Sequence, residues 1–218
     1  MGTEVSKAAP EPTLRRLPSY YRFLTELGQE KRALVSCTHI AHEFGLDPTQ
    51  VRKDLAVTGI AGKPKVGYEV PLLIEAIKRF LGWDNVTEAF LVGAGSLGTA
   101  LLGYDGFKEH GLDIIAAFDV DEGKVGQKLH GKQVLSLTKL SNLAQRMHIH
   151  LGIITTPANA AQQVADLMVE GGIKAIWNFA PASLKVPPSV IVENQQLASS
   201  LAVLSSKLAE AVRREEQQ

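Results

Sequence analysis

The most constraining stretch of the chain is Gly93-Ala94-Gly95-Ser96-Leu97-Gly98, which follows the apolar run Ala89-Phe90-Leu91-Val92 and precedes a helical pattern. Between a strand and a helix these glycines do separate jobs. Gly93 permits a tight turn, Gly95 lets a pyrophosphate approach the backbone, and Gly98 lets the helix pack close on the strand. The first N–H groups of the helix then face the phosphates, with the positive end of its dipole behind them. In this context the spacing is the fingerprint of dinucleotide binding. An acid belongs about 20 residues further on, and Asp119 closes the next predicted strand, 21 positions beyond Gly98. Its carboxylate is suited to bond ribose hydroxyls and to repel a 2′-phosphate. No Arg follows it in Asp119-Val120-Asp121-Glu122, so NAD(H) is the expected cofactor rather than NADP(H). Thr155-Thr156-Pro157 ends the fourth predicted strand, on the ligand-binding edge, and is a second expected contact near the nicotinamide half. Asn178-Phe179-Ala180-Pro181 follows the fifth strand in the same way. The alternative is a Rossmann-like domain that binds CoA, another nucleotide or nothing.

The motif begins only at position 93 of 218. The remainder of the chain is enough for one nucleotide-binding domain and too little for a separate catalytic domain, at the usual domain size of about 100–150 residues. The residues before the motif must therefore supply whatever the nucleotide is bound for. Hydrophobic content of 45% and charged content of 21% fit an ordinary globular protein. The chain is neutral overall, but residues 1–82 hold 12 Lys and Arg against 9 Asp and Glu, a surplus whose placement matters more than its size. The single Cys37 forms no intramolecular disulfide, which fits a reducing cytoplasm. No apolar stretch approaches the roughly 20 residues of a membrane span, and no signal-peptide pattern opens the chain.

Residues 1–12 read as a disordered tail, being small, polar and Pro-containing. A first helix is expected over 13–28, where Leu17, Tyr20, Tyr21, Leu24 and Leu27 recur every three or four residues. Ser36 then caps a short helix stopped by Gly45, and Asp47-Pro48 opens a third that runs to about Thr58. Two helices joined by Gly45-Leu46-Asp47 form a helix-turn-helix pattern. The segment from Gly59 to Pro71 predicts a short β-hairpin with a basic tip, and a fourth helix ends at Gly82. This order predicts a winged helix-turn-helix domain over 13–82. From 86 to 193 strands at 88–92, 113–118, 133–136, 149–155, 174–178 and 189–192 alternate with helices near 97–109, 122–128, 138–147 and 158–170. That alternation predicts an α/β, Rossmann-type, doubly wound parallel sheet. Residues 194–218 predict a C-terminal helix with an apolar stripe of Leu197, Leu201, Leu204, Leu208 and Val212. No strand remains for it to cross, so a partner helix or subunit is its expected destination.

With Val51 and Leu55 facing inward, helical geometry turns Thr49, Gln50, Arg52, Lys53 and Ala56 outward, a face that fits a major groove. Gln50 matches an adenine edge, and Arg52 or Lys53 a guanine edge or a phosphate. Lys63 and Lys65 on the wing, and Arg15 and Arg16 at the start of the first helix, are expected backbone contacts. Double-stranded DNA is the partner this arrangement implies. Two other patterns are set aside. Tyr104 and Lys108 have the Tyr-x-x-x-Lys spacing of short-chain dehydrogenases, but lie only six residues past the glycines rather than far downstream. Cys37, His39 and His42 offer one thiol and two imidazoles on a short helix and form no complete metal site.

Taken together these residues resemble the bacterial redox-sensing transcriptional repressors of the Rex family over almost the whole chain. The resemblance rests on Arg16-Leu17-Pro18 with Tyr21-Arg22, Val51-Arg52-Lys53-Asp54-Leu55, Val66-Gly67-Tyr68-Glu69-Val70-Pro71 and the glycine loop. It continues through Tyr104-Asp105-Gly106-Phe107, Phe118-Asp119-Val120-Asp121, Asn178-Phe179-Ala180-Pro181 and Val192-Glu193-Asn194. It implies a homodimer that exchanges its C-terminal helix, binds an inverted-repeat operator and leaves it when NADH binds. It further implies a redox-dependent network of an Arg in the first helix, a Tyr in the first Rossmann helix and an Asp after Glu-Asn, which places Arg22 and Tyr104. The third position is Gln196 here, in Glu193-Asn194-Gln195-Gln196, so a charge-based Arg–Asp switch does not carry over. The wing departs too, with Ile60-Ala61 and Lys63-Pro64-Lys65. Two rivals remain: a paralogue that binds DNA and NAD(H) without redox discrimination, and a small NAD-dependent oxidoreductase, which lacks a substrate domain and an acid/base residue.

Overall fold

The computed structural model describes residues 9–195 and 197–215. Positions 1–8 of the expected tail, and Gln196, lie outside the described residues. The chain separates into two compact units, Met1–Asn85 and Val86–Gln218.

In the first unit α1 (Glu11–Gln29) begins within the segment expected as tail. Leu17, Tyr20, Leu24 and Leu27 recur along one face of it, and all are buried. α2 (Cys37–Phe44) starts at Ser36, whose hydroxyl accepts the His39 N–H at 3.1 Å, and stops where Gly45 turns left-handed. α3 (Pro48–Ala56) starts at Asp47, whose carboxylate accepts the Thr49 N–H at 2.7 Å. Pro48 costs nothing at the first helical position, where its missing N–H has no partner to lose. Strands β1 (Leu34–Val35) and β2 (Tyr68–Glu69) pair antiparallel, and α4 (Val70–Phe80) completes the unit. The expected wing hairpin contracts to one bridge between Lys63 and Gly67, with Pro64-Lys65-Val66 at its tip. Pro64 has no N–H to extend a ladder and Lys65 is left-handed at φ 62°, so the turn closes at once. Burial of Tyr68 then draws the outgoing strand onto Leu34–Val35.

The second unit is a seven-stranded sheet: β3 (Thr87–Val92), β4 (Leu112–Asp119), β5 (Lys128–Leu129), β6 (Lys132–Ser136), β7 (Leu151–Ile154), β8 (Ala175–Asn178) and β9 (Ile191–Asn194). Their order is β5-β6-β4-β3-β7-β8-β9, parallel throughout except for β5 against β6. Helices α5 (Ser96–Leu102) and α6 (Gly106–Glu109) precede β4; α7 (Leu140–Met147) and α8 (Ala158–Glu170) flank β7. Phe90 and Val92 pack with Phe118, Leu140 and Val164, while Ala89 and Leu91 join the separate cluster of Leu102, Val134 and Ile153. A sheet covered on both faces is what makes the strand read as an unbroken apolar run. The path leaves β3 for β4 on one side and returns to β7 on the other, so the ligand crevice opens beyond the C-terminal ends of β3 and β7.

Two sequence expectations are corrected here. The helix expected over 97–109 breaks at Gly103 into α5 and α6. The helix expected near 122–128 is a series of turns leading into β5. There the Asp121 carboxylate accepts the Gly123 N–H at 2.9 Å, and the Gly126 N–H reaches the Val134 carbonyl at 2.8 Å, which diverts the backbone into the β5–β6 hairpin. After β9, α9 (Leu197–Glu215) leaves Leu201, Leu204 and Leu208 each more than 60% exposed, so these leucines cover nothing among the described residues.

Phe118 is fully buried, with its ring centroid 4.9 Å from that of Phe90. Phe118→Ala is expected to destabilise the protein by about 3–5 kcal/mol, read as a lower midpoint in chemical denaturation.

Candidate functional site

The glycine turn follows β3 and is held from two sides. Gly93 sits at φ 107°, a conformation that L side chains resist, and a Cβ there would come within 2.9 Å of the Thr155 backbone after β7. At Gly98 a Cβ would strike the Gly93 carbonyl, so only glycine allows α5 to pack this close to the turn. The Thr155 hydroxyl lies 2.7 Å from the Gly93 carbonyl and 3.1 Å from that of Val92, and acts as a latch on the turn. The Thr156 Oγ1, by contrast, is buried without a hydrogen-bond partner among the described residues. Leaving such a group unsatisfied costs about 1–3 kcal/mol, which a polar ligand removes.

Asp119 ends β4 beside this turn and is almost wholly buried. One carboxylate oxygen accepts the Ala94 N–H at 2.8 Å and the Lys124 ammonium at 3.1 Å; the other accepts the Asp121 N–H at 2.9 Å. Burial pushes this carboxyl up, but the hydrogen bonds from Asp121, Lys124 and Ala94 outweigh it and hold it below the ordinary carboxylate value. Asp119 thus remains an anion and ties Ala94, inside the glycine turn, to the end of β4.

A cavity of about 400 Å³ opens between Gly93, Gly95, Asp119, Lys124, Thr155, Thr156 and Pro157. Its far wall, Val120, Leu137 and Gln163, is shared with an adjoining cavity of about 630 Å³. The arrangement gives a polar floor of backbone and hydroxyl beside apolar walls, which suits a nucleotide with its phosphates on the turn. Ser96 and Leu97 open α5, which no side chain caps. Sequence reasoning missed Lys124, Val120, Leu137 and Gln163. Asn178, fully buried, donates to the Ala182 carbonyl at 2.9 Å and to the Asn194 side chain at 2.8 Å, and its oxygen accepts the Ala180 N–H at 3.0 Å. That network fixes the loop after β8 to the end of β9. Tyr104 does not line the cavity. The residue is 57% exposed, and its ring starts an aromatic series through Phe107 and Trp177 to Phe179, with successive centroids 4.8, 5.6 and 4.8 Å apart.

On the helical unit α3 exposes Thr49, Arg52, Lys53 and Ala56, as its periodicity predicts. Gln50 is different: it is half-buried and donates to the Asp54 carboxylate at 2.9 Å. Arg16 is also engaged there, through Nε at 2.6 Å and a second nitrogen at 2.8 Å. Thr13 and Tyr20 each donate to Asp54 at 2.9 Å, so donors from α1 and α3 converge on one fully buried carboxylate. Burial pushes Asp54 up, yet hydrogen bonds from Arg16, Gln50, Thr13 and Tyr20 together hold it below the ordinary value. Burial, and then the bond to Asp54, pushes the Tyr20 phenol well up. Gln50 and Arg16 are therefore first of all braces for α3. Arg15 pairs with Glu11 at 2.7 Å and Lys63 with Glu69 at 2.5 Å, whereas Lys65 stands exposed at the wing tip. Among the described residues no three His, Cys, Asp or Glu side chains group as a metal site. No helix among them is long and apolar enough to cross a membrane.

Comparison with known proteins places this geometry. A family model described as "Putative DNA-binding protein N-terminus" matches residues 8–56, and one described as "CoA binding domain" matches residues 84–182. The redox-sensing transcriptional repressor Rex of Treponema denticola is 49% identical, covering 91% of this chain and 94% of that protein. Rex of Bacteroides thetaiotaomicron is 44% identical, covering 91% and 90%. The chain belongs to the Rex family. Among solved Rex-family structures, that of RSP in complex with beta-NAD+ and operator DNA is similar at a TM-score of 0.89 and 34% identity, covering 96% of this chain and 97% of that one. RSP in complex with beta-NADH is similar at 0.86 and 33% identity, over 97% and 100%.

Of the three positions that the resemblance to Rex assigns to a redox network, Arg22 is exposed on α1 and Tyr104 is exposed after α5. Gln196 lies outside the described residues, but its neighbour Gln195 donates its N–H to the Asn178 carbonyl at 2.8 Å.

Asp54→Ala leaves Arg16 and Tyr20 without their shared acceptor and is expected to lower stability by on the order of 3 kcal/mol. Because the folded value of Asp54 is depressed, its contribution is complete above the unfolded carboxylate value, about 3.9, and is lost as pH falls through the lower folded value. The stability gap between wild type and Asp54→Ala, measured by urea denaturation, is therefore expected to close as pH falls below about 4.

Proposed function

We propose that the chain is a transcriptional repressor that binds operator DNA through its helical unit and takes NAD(H), in the Rossmann-type unit, as a signal rather than as a reagent. NADH binding releases it from DNA. The observation that carries this reading is the presence, in one chain of the Rex family, of an α3 face with Arg52 and Lys53 exposed and of the turn–Asp119–Thr156 cavity. The RSP structures with NAD+ and operator DNA, and with NADH, support the same two ligand classes.

In this reading Arg52, Lys53 and Thr49 meet the major groove, while Lys65, with Lys63 behind it, follows the backbone or minor groove. Arg15 is a backbone contact after exchange from Glu11. Gly93, Ala94, Gly95, Ser96, Leu97 and Gly98 shape the phosphate site. Asp119 takes the adenosine ribose, and Thr155, Thr156 and Pro157 form the edge towards the nicotinamide. The stripe on α9 supports a homodimer in which each subunit lends this helix to its partner, with an inverted-repeat operator following from that two-fold symmetry. Two recognition helices then have to meet successive major grooves about 34–36 Å apart. NADH disturbs that spacing only by preferring the other dimer geometry. Leu204→Glu places a charge in the middle of the stripe and is expected to yield a monomer in analytical ultracentrifugation, with operator affinity lost alongside.

Gln196 favours a second reading, DNA binding without discrimination between NADH and NAD+. Titrating each dinucleotide into a complex with fluorescently labelled operator decides between them. Release by NADH at concentrations where NAD+ does nothing supports the redox sensor; equal responses support the second reading. In that second case Gln196→Asp is expected to restore a preference for NADH.

A further inference from the structure

The absence of an Arg after Asp119 suggests a site that simply repels a 2′-phosphate. The structure instead puts a cation on that acid. Lys124 lies five residues beyond Asp119, past a turn that the Asp121 carboxylate stabilises through the Gly123 N–H. The Lys124 N–H itself returns to the Asp121 carbonyl at 2.9 Å. That turn aims the lysine back at β4, where its ammonium sits 3.1 Å from Asp119 and 3.8 Å from the Asp121 carboxylate, in the cavity wall. Three donors already engage Asp119: Ala94, Asp121 and Lys124. A carboxylate offers about four lone-pair positions, so roughly one is left for a ribose hydroxyl. The lysine has three N–H donors and uses one on Asp119, so it has donors to spare at the same edge.

We propose that Lys124 is the specificity-determining residue of the adenosine end, donating to the ribose 2′-oxygen and offsetting the repulsion that Asp119, Asp121 and Glu122 exert on a 2′-phosphate. This rests on the dinucleotide reading above. The ribose 2′-hydroxyl then bridges the pair, giving one hydrogen bond to Asp119 and taking one from Lys124. A 2′-phosphate meets the same ammonium first, so the margin between NADH and NADPH is set by this lysine as much as by the acid. Because Lys124 also braces Asp119, its loss touches both ligands, but the 2′-phosphate carries the additional charge and suffers more.

The test is the binding of NADH and NADPH to the full-length protein by isothermal titration calorimetry, for wild type, Lys124→Gln and Lys124→Arg. Two unit charges about 4 Å apart interact, even at the dielectric of bulk water, strongly enough for about a fivefold change in affinity. Lys124→Gln is accordingly expected to weaken NADPH at least about fivefold more than NADH, and Lys124→Arg to restore the wild-type ratio. Where wild-type NADPH binding is too weak to measure, Asp119→Asn provides the readout: it should gain NADPH affinity, and the double variant Asp119→Asn/Lys124→Gln should lose that gain. Wild-type NADH binding with a ratio unmoved by Lys124→Gln, or a gain in Asp119→Asn that survives loss of the lysine, overturns the proposal and leaves the dinucleotide reading standing. Absence of binding by either dinucleotide to wild type overturns both.

Discussion

A carboxylate taken out of water must be paired and hydrogen-bonded or give up its charge. Each unit of the chain satisfies that demand at one aspartate and hangs its functional segment from it. Asp54 gathers Thr13, Arg16, Tyr20 and Gln50, and so fixes how far along its axis, and at what rotation, α3 lies against α1. Asp119 gathers Ala94, Asp121 and Lys124, and so fixes the glycine turn to the end of β4. Apolar packing alone is tolerant of small slides and rotations; several directional bonds to one buried charge are not. Both sites are therefore prearranged before any ligand is met.

The parts of the fold legible in the sequence are those governed by local rules. Ser36, Gly45, Asp47 and Pro48 cap and stop their helices through neighbours within four residues. Strands buried on both faces read as apolar runs, and Gly93 and Gly98 read as close approaches because nothing larger fits. The errors fall where a side chain or distant strand takes over the backbone. Residues 122–128 have no local ban on helix, but the Gly126 N–H finds Val134 and the Asp121 carboxylate finds Gly123. Burial of Tyr68 likewise commits β2 to Leu34–Val35 rather than to a long hairpin.

The same division holds at the sites. The turn, Asp119 and the outward face of α3 follow from spacing. The engagement of Gln50 and Arg16 does not, because Arg16 and Asp54 are 38 residues apart and meet only through packing. Asp54 itself left one signal: an acid at the inward position between Val51 and Leu55 has to be answered by donors from another element. Lys124 left none, since a lysine five residues past an acid in a glycine-rich turn has no fixed direction until that turn is formed.

On the proposed reading, affinity and discrimination must come from different ends of the cavity. NADH and NAD+ are identical from the adenine to the second ribose and differ only in the charge and planarity of the nicotinamide ring. Every contact at the turn, Asp119, Lys124 and the Val120–Leu137 wall is then worth the same to both. A ligand shifts a conformational equilibrium only through its difference in affinity for the two states, so these contacts set how much dinucleotide is held and not what it signals. The signal has to arise beyond Thr156, where the Asn178 network binds the loop after β8 to Asn194 and to Gln195. On this reading a neutral Gln196 brings no full charge to bear on a cationic ring, which weakens the electrostatic part of the distinction. Ring shape and the packing of the Asn178–Ala182 loop must then carry more of it.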